Sequence, residues 1–193
     1  MMDKLNSKYH FVLGSKSPRR SDLLEQIGLF FVTRHSSFEE IVDSTLPVET
    51  VPENLAMQKA MHLKDTLKDD ELIITADTLV ILDGEILGKP SDEKEALEMI
   101  QKLSGKWHKV ITGMCLMTKD KKLTFSETTE VHFKELSDFE ISYYVESYKP
   151  LDKAGSYGIQ EWIGLIGVKE IKGCFFNVIG LPVPRFYQEL NEF

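Results

Sequence analysis

The feature that most constrains the fold is an uninterrupted, mainly apolar run over residues 72–82. It contains one charged side chain, Asp77. The run is too short to span a bilayer, which takes roughly 18 apolar residues, and its length and β-branched content favour a buried strand. The dipeptide Asp83-Gly84 follows it and predicts a tight turn. The run therefore predicts a long strand that ends in a hairpin.

Strand and helix patterns alternate along the rest of the chain, which favours an α/β fold. The expected strands are residues 11–13, 30–32, 72–82, 109–117 and 123–133. The expected helices are residues 18–28, 52–67, 91–103, 136–147 and 182–190. Ser91 is the expected cap of the third helix. A further hairpin is expected from residues 165–171 and 175–179, with its turn at Lys172-Gly173.

Length and charge limit the classes of function. The 193 residues suit one domain or two closely packed lobes. Lys and Arg number 23 against 31 Asp and Glu, so the net charge of −8 argues against binding nucleic acid polymers through bulk electrostatics. Cys115 and Cys174 lack metal-type spacing and are expected to be reduced and in or near the core. The polar N-terminal residues lack a secretory pattern, so the cytoplasm is the expected location.

A basic loop joins the first strand to the first helix. Ser17 is suited to cap that helix and Pro18 to begin it. Arg19 and Arg20 then lie in the first turn, where the helix dipole is already positive. Cations at this end of a helix are unfavourable, and a bound anion would reverse that effect. Free backbone N–H groups, the Ser15 and Ser17 hydroxyls and two guanidinium groups suit a polyphosphate. The alternative is a solvated basic turn paired with acidic side chains of the same helix.

The carboxylate of Asp77 is the second anomaly. An unpaired buried carboxylate costs several kcal/mol, so Asp77 needs a cation, a metal or several hydrogen-bond donors. It is either a site residue or a structural acceptor. The nearby segment 84–90 superficially resembles a phosphate-binding P-loop, but its glycines are too close and Pro90 replaces the Ser or Thr. Lys89 is therefore either a phosphate ligand or a surface lysine.

Several motifs in one order make the chain resemble the Maf family from about residue 13 to residue 182. Any one of them alone is weak, and their common order is specific. They are Ser15-Lys16-Ser17-Pro18-Arg19-Arg20, Gln58-Lys59-Ala60, Ala76-Asp77-Thr78, Leu87-Gly88-Lys89-Pro90, Leu103-Ser104-Gly105, His108-Lys109-Val110-Ile111-Thr112-Gly113, Asp152-Lys153-Ala154-Gly155-Ser156-Tyr157-Gly158-Ile159-Gln160 and Gly180-Leu181-Pro182.

The resemblance implies a two-lobed α/β fold in which a long mixed, twisted sheet is flanked by helices, related to the inosine triphosphate pyrophosphatases. The whole chain, residues 1–193, would form one domain with the active-site cleft between its lobes. It implies hydrolysis of a nucleoside triphosphate between its α and β phosphates, a divalent cation such as Mg²⁺ or Mn²⁺, and a homodimer. No nucleic acid or membrane partner is expected.

The resemblance also implies roles for individual residues. Asp77 matches the aspartate proposed as proton acceptor. Arg19, Thr78 and Gln160 match positions that shape substrate choice, and the Tyr-Gly-Ile-Gln form resembles the branch that acts on dTTP and UTP. Lys59 and Lys89, together with Ser15, Arg19 and Arg20, are hypothesised to gather the triphosphate. The metal would be held by Asp77 and an upstream acid, Glu40 or Glu39.

Two alternatives stay open. One is a pyrophosphatase for modified or purine nucleotides such as 7-methyl-GTP. The other is a nucleotide-binding regulator of cell division without turnover. The chain also departs from the family pattern, because Glu161-Trp162 stands where relatives often carry a small glycine-rich turn. This departure bears on the base pocket rather than on the reaction. Asp152 is either a helper of the site or the partner of Lys153 in a loop ion pair.

Overall fold

The computed structural model describes residues 2–35, 41–43 and 45–193. Within these residues, seven strands form one mixed sheet in the order β2-β1-β3-β5-β6-β7, and β4 pairs with β3. The strands are β1 (His10–Leu13), β2 (Phe31–Thr33), β3 (Glu71–Leu82), β4 (Glu85–Leu87), β5 (Trp107–Met117), β6 (Lys122–Phe133) and β7 (Val168–Lys172). The predicted α/β class with a mixed sheet is confirmed.

Helices flank the sheet. Those described are α1 (Met2–Lys8), α2 (Pro18–Gln26), α3 (Val51–Leu63), α4 (Glu93–Leu103), α5 (Asp138–Tyr148), α6 (Trp162–Gly167), α7 (Phe175–Ile179) and α8 (Val183–Glu192). None of the described helices is long and apolar enough to cross a membrane.

The apolar run is the long strand β3, as predicted. Its first half pairs in parallel with β1, with Leu13 opposite Ile74. Its second half pairs with β4 through the predicted tight turn, where Asp83 and Gly84 both have positive φ (51° and 85°). A two-residue hairpin turn requires positive φ at both positions, and glycine adopts this conformation without steric cost. The Asp83-Gly84 signal is thus confirmed.

The chain divides into two compact units. Unit 1 comprises Met1–Asp77, Thr112–Glu127 and Gly180–Phe193, and unit 2 comprises Thr78–Ile111 and Thr128–Ile179. One core cluster of unit 1 joins small and aliphatic side chains of α3 to those of its strands: Val12, Ala56, Ala60, Leu63, Leu67, Ile73, Cys115 and Met117. Cys115 is buried, Cys174 is partly buried and both are free thiols, as predicted.

The core of unit 2 packs α4, α5 and α6 against strands. Its buried members include Ile100, Val131, Phe133, Ile141 and Ile163. The start of α5 is well defined, because Ser137 and Glu140 form a capping box there. This fixes the helix that carries Tyr144, which is fully buried in the same core.

Ser17 is the N-cap residue of α2 and Pro18 begins the helix, as predicted, although the Ser17 side chain makes no capping hydrogen bond. Two local predictions were wrong. Asp92, rather than Ser91, caps α4 through its carboxylate. Residues 175–179 form α7 instead of a strand, and the part of residues 165–171 that is extended pairs with β6. The reason is non-local: within α7, the buried amide of Asn177 donates to the carbonyl of Val110 at 2.9 Å.

His108 lies in the core of unit 2. It is 3% exposed, and its Nε2 lies 2.7 Å from the hydroxyl of Tyr157. Its Nδ1 is buried with no hydrogen-bond partner among the described residues. Burial therefore lowers the pKa of His108 from 6.5 to about 3, with a smaller contribution from His132.

This buried histidine predicts a pH-dependent stability. In the unfolded chain His108 takes up a proton near its ordinary pKa of 6.5, whereas the folded protein resists protonation down to about 3. The unfolded state therefore binds more protons in that window. We expect the free energy of unfolding to fall by about 1.4 kcal/mol per pH unit as pH drops below 6.5.

Urea unfolding between about pH 6.5 and about pH 5 measures this slope while most carboxylates stay ionised. The variant His108→Gln retains a polar group beside Tyr157 and should show a flatter dependence. Equal slopes in the two proteins would show that His108 is not the responsible group.

Candidate active site

The carboxylate of Asp77 is paired with the ammonium of Lys59. Lys59 Nζ lies 2.5 Å from Asp77 Oδ1, and the two side chains are only 17% and 14% exposed. Asp77, near the middle of β3, thus has a cationic partner. Such a partner was expected, because burying a carboxylate without one costs several kcal/mol. Both residues belong to unit 1.

The pairing follows from how α3 packs on β3. Side chains at alternate strand positions share a face, so Thr75 and Asp77 lie on the same side of β3. The Thr75 hydroxyl donates to the carbonyl of Ala56 in α3 at 2.6 Å. Lys59 lies one turn further along that helix. The hydroxyl therefore anchors α3 at the height that brings Lys59 to Asp77.

A glycine allows α3 to approach β5 closely. A Cβ at Gly113 would lie 2.1 Å from the backbone nitrogen of Glu53 and 2.2 Å from the carbonyl carbon of Pro52. No real Cβ tolerates such distances to backbone atoms. The start of α3 is therefore fixed against backbone, and the helix bearing Lys59 has little freedom to shift.

The basic loop begins where β1 ends beside β3. The Gly14 N–H donates to the carbonyl of Ile74 at 2.8 Å, which carries the parallel pairing one residue beyond the strand. A Cβ at Gly14 would meet the Thr75 methyl group at 2.6 Å. The loop therefore packs against Ile74 and Thr75 of β3, three and two residues before Asp77.

Arg20 is turned into the fold. It is 9% exposed, its Nε donates to the carbonyl of Gly180 at 2.9 Å, and its Nη1 donates to Ser15 Oγ at 3.0 Å. Ser15 Oγ also accepts from the Ser17 N–H at 3.2 Å. Arg19 is more exposed than Arg20. The two arginines are adjacent in sequence and differ in position: Arg20 braces the loop, and Arg19 lies nearer solvent.

Lys89 and Gln160 are exposed residues in two loops of unit 2. The two loops are tied together one residue before Lys89, where the Gly155 N–H donates to the carbonyl of Gly88 at 3.0 Å. A Cβ at Gly155 would touch Val80 at 3.0 Å, and Gly155 has a φ of +65°. Glycine at this position meets both conditions, positive φ and close approach.

Glu161 and Trp162, which depart from the family pattern, both contact other side chains of unit 2. The Tyr144 hydroxyl donates to Glu161 Oε2, and Lys153 Nζ lies 3.2 Å from Glu161 Oε1. Trp162 packs edge-on against Tyr143, with ring centroids 4.8 Å apart. Neither Glu161 nor Trp162 is fully exposed.

The loop ion pair expected as one alternative for Asp152 is present. Lys153 Nζ lies 2.7 Å from Asp152 Oδ1, and Lys153 is 8% exposed as a residue. Lys153 therefore bridges two carboxylates, those of Asp152 and Glu161.

The predicted site residues fall into two sets. Ser15, Arg19, Arg20, Lys59 and Asp77 belong to unit 1, whereas Thr78, Lys89 and Gln160 belong to unit 2. Glu39 and Glu40, the candidate upstream acids, lie outside the described residues. Sequence reasoning missed Tyr144, whose hydroxyl contacts the Gln160 loop. The one signal that pointed there was the unusual Glu161.

The family model described as Maf-like protein matches residues 10–193. The chain belongs to the Maf-like family. Two relatives match this Maf-like chain over all of both sequences, one from Phocaeicola vulgatus with 53% identity and one from Parabacteroides distasonis with 48% identity. Each of these relatives is named dTTP/UTP pyrophosphatase.

A solved structure shares the fold of this Maf-like chain. It is described as the structure of a HAM1 protein from Coxiella burnetii, and it aligns with a TM-score of 0.50 at 15% identity. The alignment covers 96% of this chain and 100% of that one. At this identity the likeness concerns the fold alone.

Proposed function

We propose that this chain hydrolyses dTTP and UTP to the corresponding monophosphate and pyrophosphate. The observation that carries the proposal is the Lys59–Asp77 pair, a largely buried acid and cation held beside a loop rich in phosphate-binding groups. The names of the two full-length relatives support the same substrates. A hydrolase for a triphosphate needs such a combination, a proton acceptor together with cations for the phosphates.

In the proposed reaction, Asp77 orients a water molecule and accepts one of its protons. The water oxygen forms a bond to the α phosphorus, and the bond from that phosphorus to the oxygen bridging to the β phosphorus breaks. Pyrophosphate leaves with the bonding electron pair. Lys59 stands within hydrogen-bond distance of Asp77 and holds its carboxylate in one orientation.

The cationic residues are assigned to the triphosphate. Arg19, Lys59 and Lys89 supply charge for the phosphate oxygens, and Ser15 belongs to the loop that receives them. Arg20 supports this loop through its bonds to Ser15 and Gly180 and contributes positive charge from behind. The predicted cleft between two lobes, the homodimer and the cytoplasmic location remain predictions.

The described residues fit a divalent cation that arrives with the nucleotide. No group of three or more His, Cys, Asp or Glu side chains within the described ranges is placed to hold a metal ion. Magnesium commonly takes one or two carboxylates, with phosphate oxygens and water completing its shell. Asp77 would be one such carboxylate. When bound, the cation would neutralise charge on the phosphoryl oxygens.

The nucleobase is assigned to Gln160, with Thr78 as a second specificity residue. The Gln160 amide offers donors and an acceptor, which match the O4 and N3–H of uracil or thymine. Its exposure leaves that amide accessible to a ligand.

The test is a pyrophosphate-release assay over a panel of nucleoside triphosphates with Mg²⁺ or Mn²⁺. We expect dTTP and UTP to give the highest kcat/KM. A preference for 7-methyl-GTP or another purine nucleotide would replace the substrate assignment. Nucleotide binding without pyrophosphate release would favour a regulatory role instead.

Gln160→Glu should redirect base preference. The carboxylate can accept but not donate, so it loses the contact to O4 and suits the amino group of cytosine. We expect kcat/KM for UTP and dTTP to fall about tenfold or more relative to CTP. Gln101→Glu, the same change at an exposed position on α4, is the matched control and should leave the order of substrates unchanged. An unchanged order in Gln160→Glu would remove Gln160 from base recognition.

A further inference from the structure

Gln160 is presented by a tight turn. The Glu161 N–H donates to the carbonyl of Gly158 at 2.9 Å, so Ile159 and Gln160 occupy the two central positions of the turn. Ile159 is 4% exposed and anchors the turn in the core, while Gln160 faces solvent. The turn therefore buries Ile159 and leaves Gln160 accessible to a ligand.

Helix α6 supports this turn by direct backbone contact. A Cβ at Gly164 would lie 1.9 Å from the carbonyl oxygen of Ile159. A side chain at Gly158 would also collide with the Glu161 carboxylate, at 2.7 Å from its Cδ. Glycine at both positions lets the helix, the turn and the carboxylate pack without a gap.

Three polar side chains then hold the turn by its backbone and its last residue. The Tyr144 hydroxyl accepts from the Gly158 N–H at 3.0 Å and donates to Glu161 Oε2. Lys153 lies against the other oxygen of the same carboxylate at 3.2 Å. We call Tyr144, Glu161 and Lys153 the turn clamp. Each of its links attaches within two residues of Gln160.

The clamp is largely shielded from water. Tyr144 is 0% exposed as a residue, and the side chains of Lys153 and Glu161 are 10% and 22% exposed. Burial, with the adjacent Glu161 carboxylate, raises the pKa of the Tyr144 hydroxyl, which therefore remains a donor at neutral pH. Hydrogen bonds to charged groups in such surroundings are stronger and more directional than those at the surface.

We infer that the turn clamp sets base discrimination by fixing Gln160, so that Tyr144, Glu161 and Lys153 are positioning residues for nucleotide specificity. The inference rests on the proposed function. An amide selects a base through donor and acceptor positions, and a displacement of about 1 Å weakens such selection. An exposed glutamine on a free turn would sample many positions, whereas the clamp confines its backbone.

The test compares Tyr144→Phe with Tyr148→Phe. Both changes remove one hydroxyl from α5, but only Tyr144 bonds the turn, and the stacking of the two rings is kept. We expect Tyr144→Phe to lower the ratio of kcat/KM for UTP to that for CTP about fivefold to tenfold. Tyr148→Phe should keep the wild-type ratio. Equal losses for both nucleotides would show a merely structural role and overturn the inference.

A double-mutant cycle gives a second, sharper readout. If Tyr144 acts through Gln160, the double variant Tyr144→Phe/Gln160→Ala should discriminate no worse than Gln160→Ala alone. Multiplicative losses of discrimination would contradict the inference. Should Tyr144→Phe fail to fold, Glu161→Gln decides, because it keeps the size of the side chain and removes its charge beside Lys153. We expect about a threefold fall in the same ratio, and an unchanged ratio would overturn the inference.

Amide hydrogen exchange separates this inference from the proposed function. Exchange at Gly158 should be faster in Tyr144→Phe than in the wild type, without any nucleotide present. If the wild type releases pyrophosphate from no nucleotide, the proposed function fails, whatever the exchange result. If the wild type discriminates and Tyr144→Phe retains both its discrimination and its slow exchange, only the inference fails.

Discussion

Replacing Asp77 by asparagine is expected to lower kcat for UTP about a thousandfold, while the protein remains folded. The amide has the size of the carboxylate and can still accept a hydrogen bond from Lys59, but it cannot take up a proton from water. KM should change far less than kcat. Pyrophosphate release measures the first effect, and thermal unfolding checks that the fold is retained.

The matched control is Asp120→Asn. Asp120 is an exposed acid in the turn between β5 and β6, and its replacement should leave kcat at the wild-type value. Residual kcat above about a tenth of wild type in Asp77→Asn would remove Asp77 from proton transfer. The same outcome would leave its pairing with Lys59 as a structural feature only.

The largest effect on stability is expected from Gly113→Ala. The added methyl group would lie 2.1 Å from the nitrogen of Glu53, and relief requires α3 to move as a whole. We expect a loss of about 3 kcal/mol or more in the free energy of unfolding. Because α3 carries Lys59, activity should fall in the fraction that still folds.

Gly88→Ala serves as the control for this change. A Cβ at Gly88 has nothing within 4 Å, so the substitution should alter stability by no more than about 0.5 kcal/mol. Urea unfolding of both variants gives the comparison. If Gly113→Ala unfolded at the wild-type urea concentration, α3 could not be fixed against β5 as closely as the structure has it.

The sequence was most informative where a local rule was broken or met in full. A lone carboxylate inside the run 72–82 required a partner, and Lys59 provides it. Asp83-Gly84 met the demands of a two-residue turn and forms one. The turn and the need for a partner follow from a few consecutive residues, so the pattern alone predicts them. It left open which group the partner would be, because Lys59 lies 18 residues away.

The failures involve contacts between residues that are distant in sequence. Residues 175–179 have strand-like composition, but the buried amide of Asn177 bonds to Val110, 67 residues away, from a helix. The role of Tyr144 in the turn clamp was missed for the same reason, because its partners Gly158 and Glu161 lie 14 and 17 residues further along the chain. Hydrophobic periodicity marks such side chains as core and carries no information about their polar ends.

Helix capping shows a subtler limit. Ser91 and Asp92 are both good caps, and the sequence does not rank them. In the structure the Asp92 carboxylate accepts from the Glu95 N–H at 2.8 Å, while Ser91 donates to the Glu95 side chain at 2.7 Å. Asp92 becomes the cap because it binds the Glu95 N–H, while the Glu95 side chain binds the Ser91 hydroxyl.

The bond from Arg20 to the carbonyl of Gly180 spans 160 residues, and Gly180–Phe193 is an integral segment of unit 1. On the ribosome, at about 5–20 residues per second, Arg20 would wait roughly 10–30 s for its acceptor to be synthesised. Contacts between residues this far apart form slowly, because the chain loses the conformational entropy of the intervening loop before the contact stabilises it. The contact by which Arg20 braces the basic loop is therefore among the last parts of a nascent chain to form.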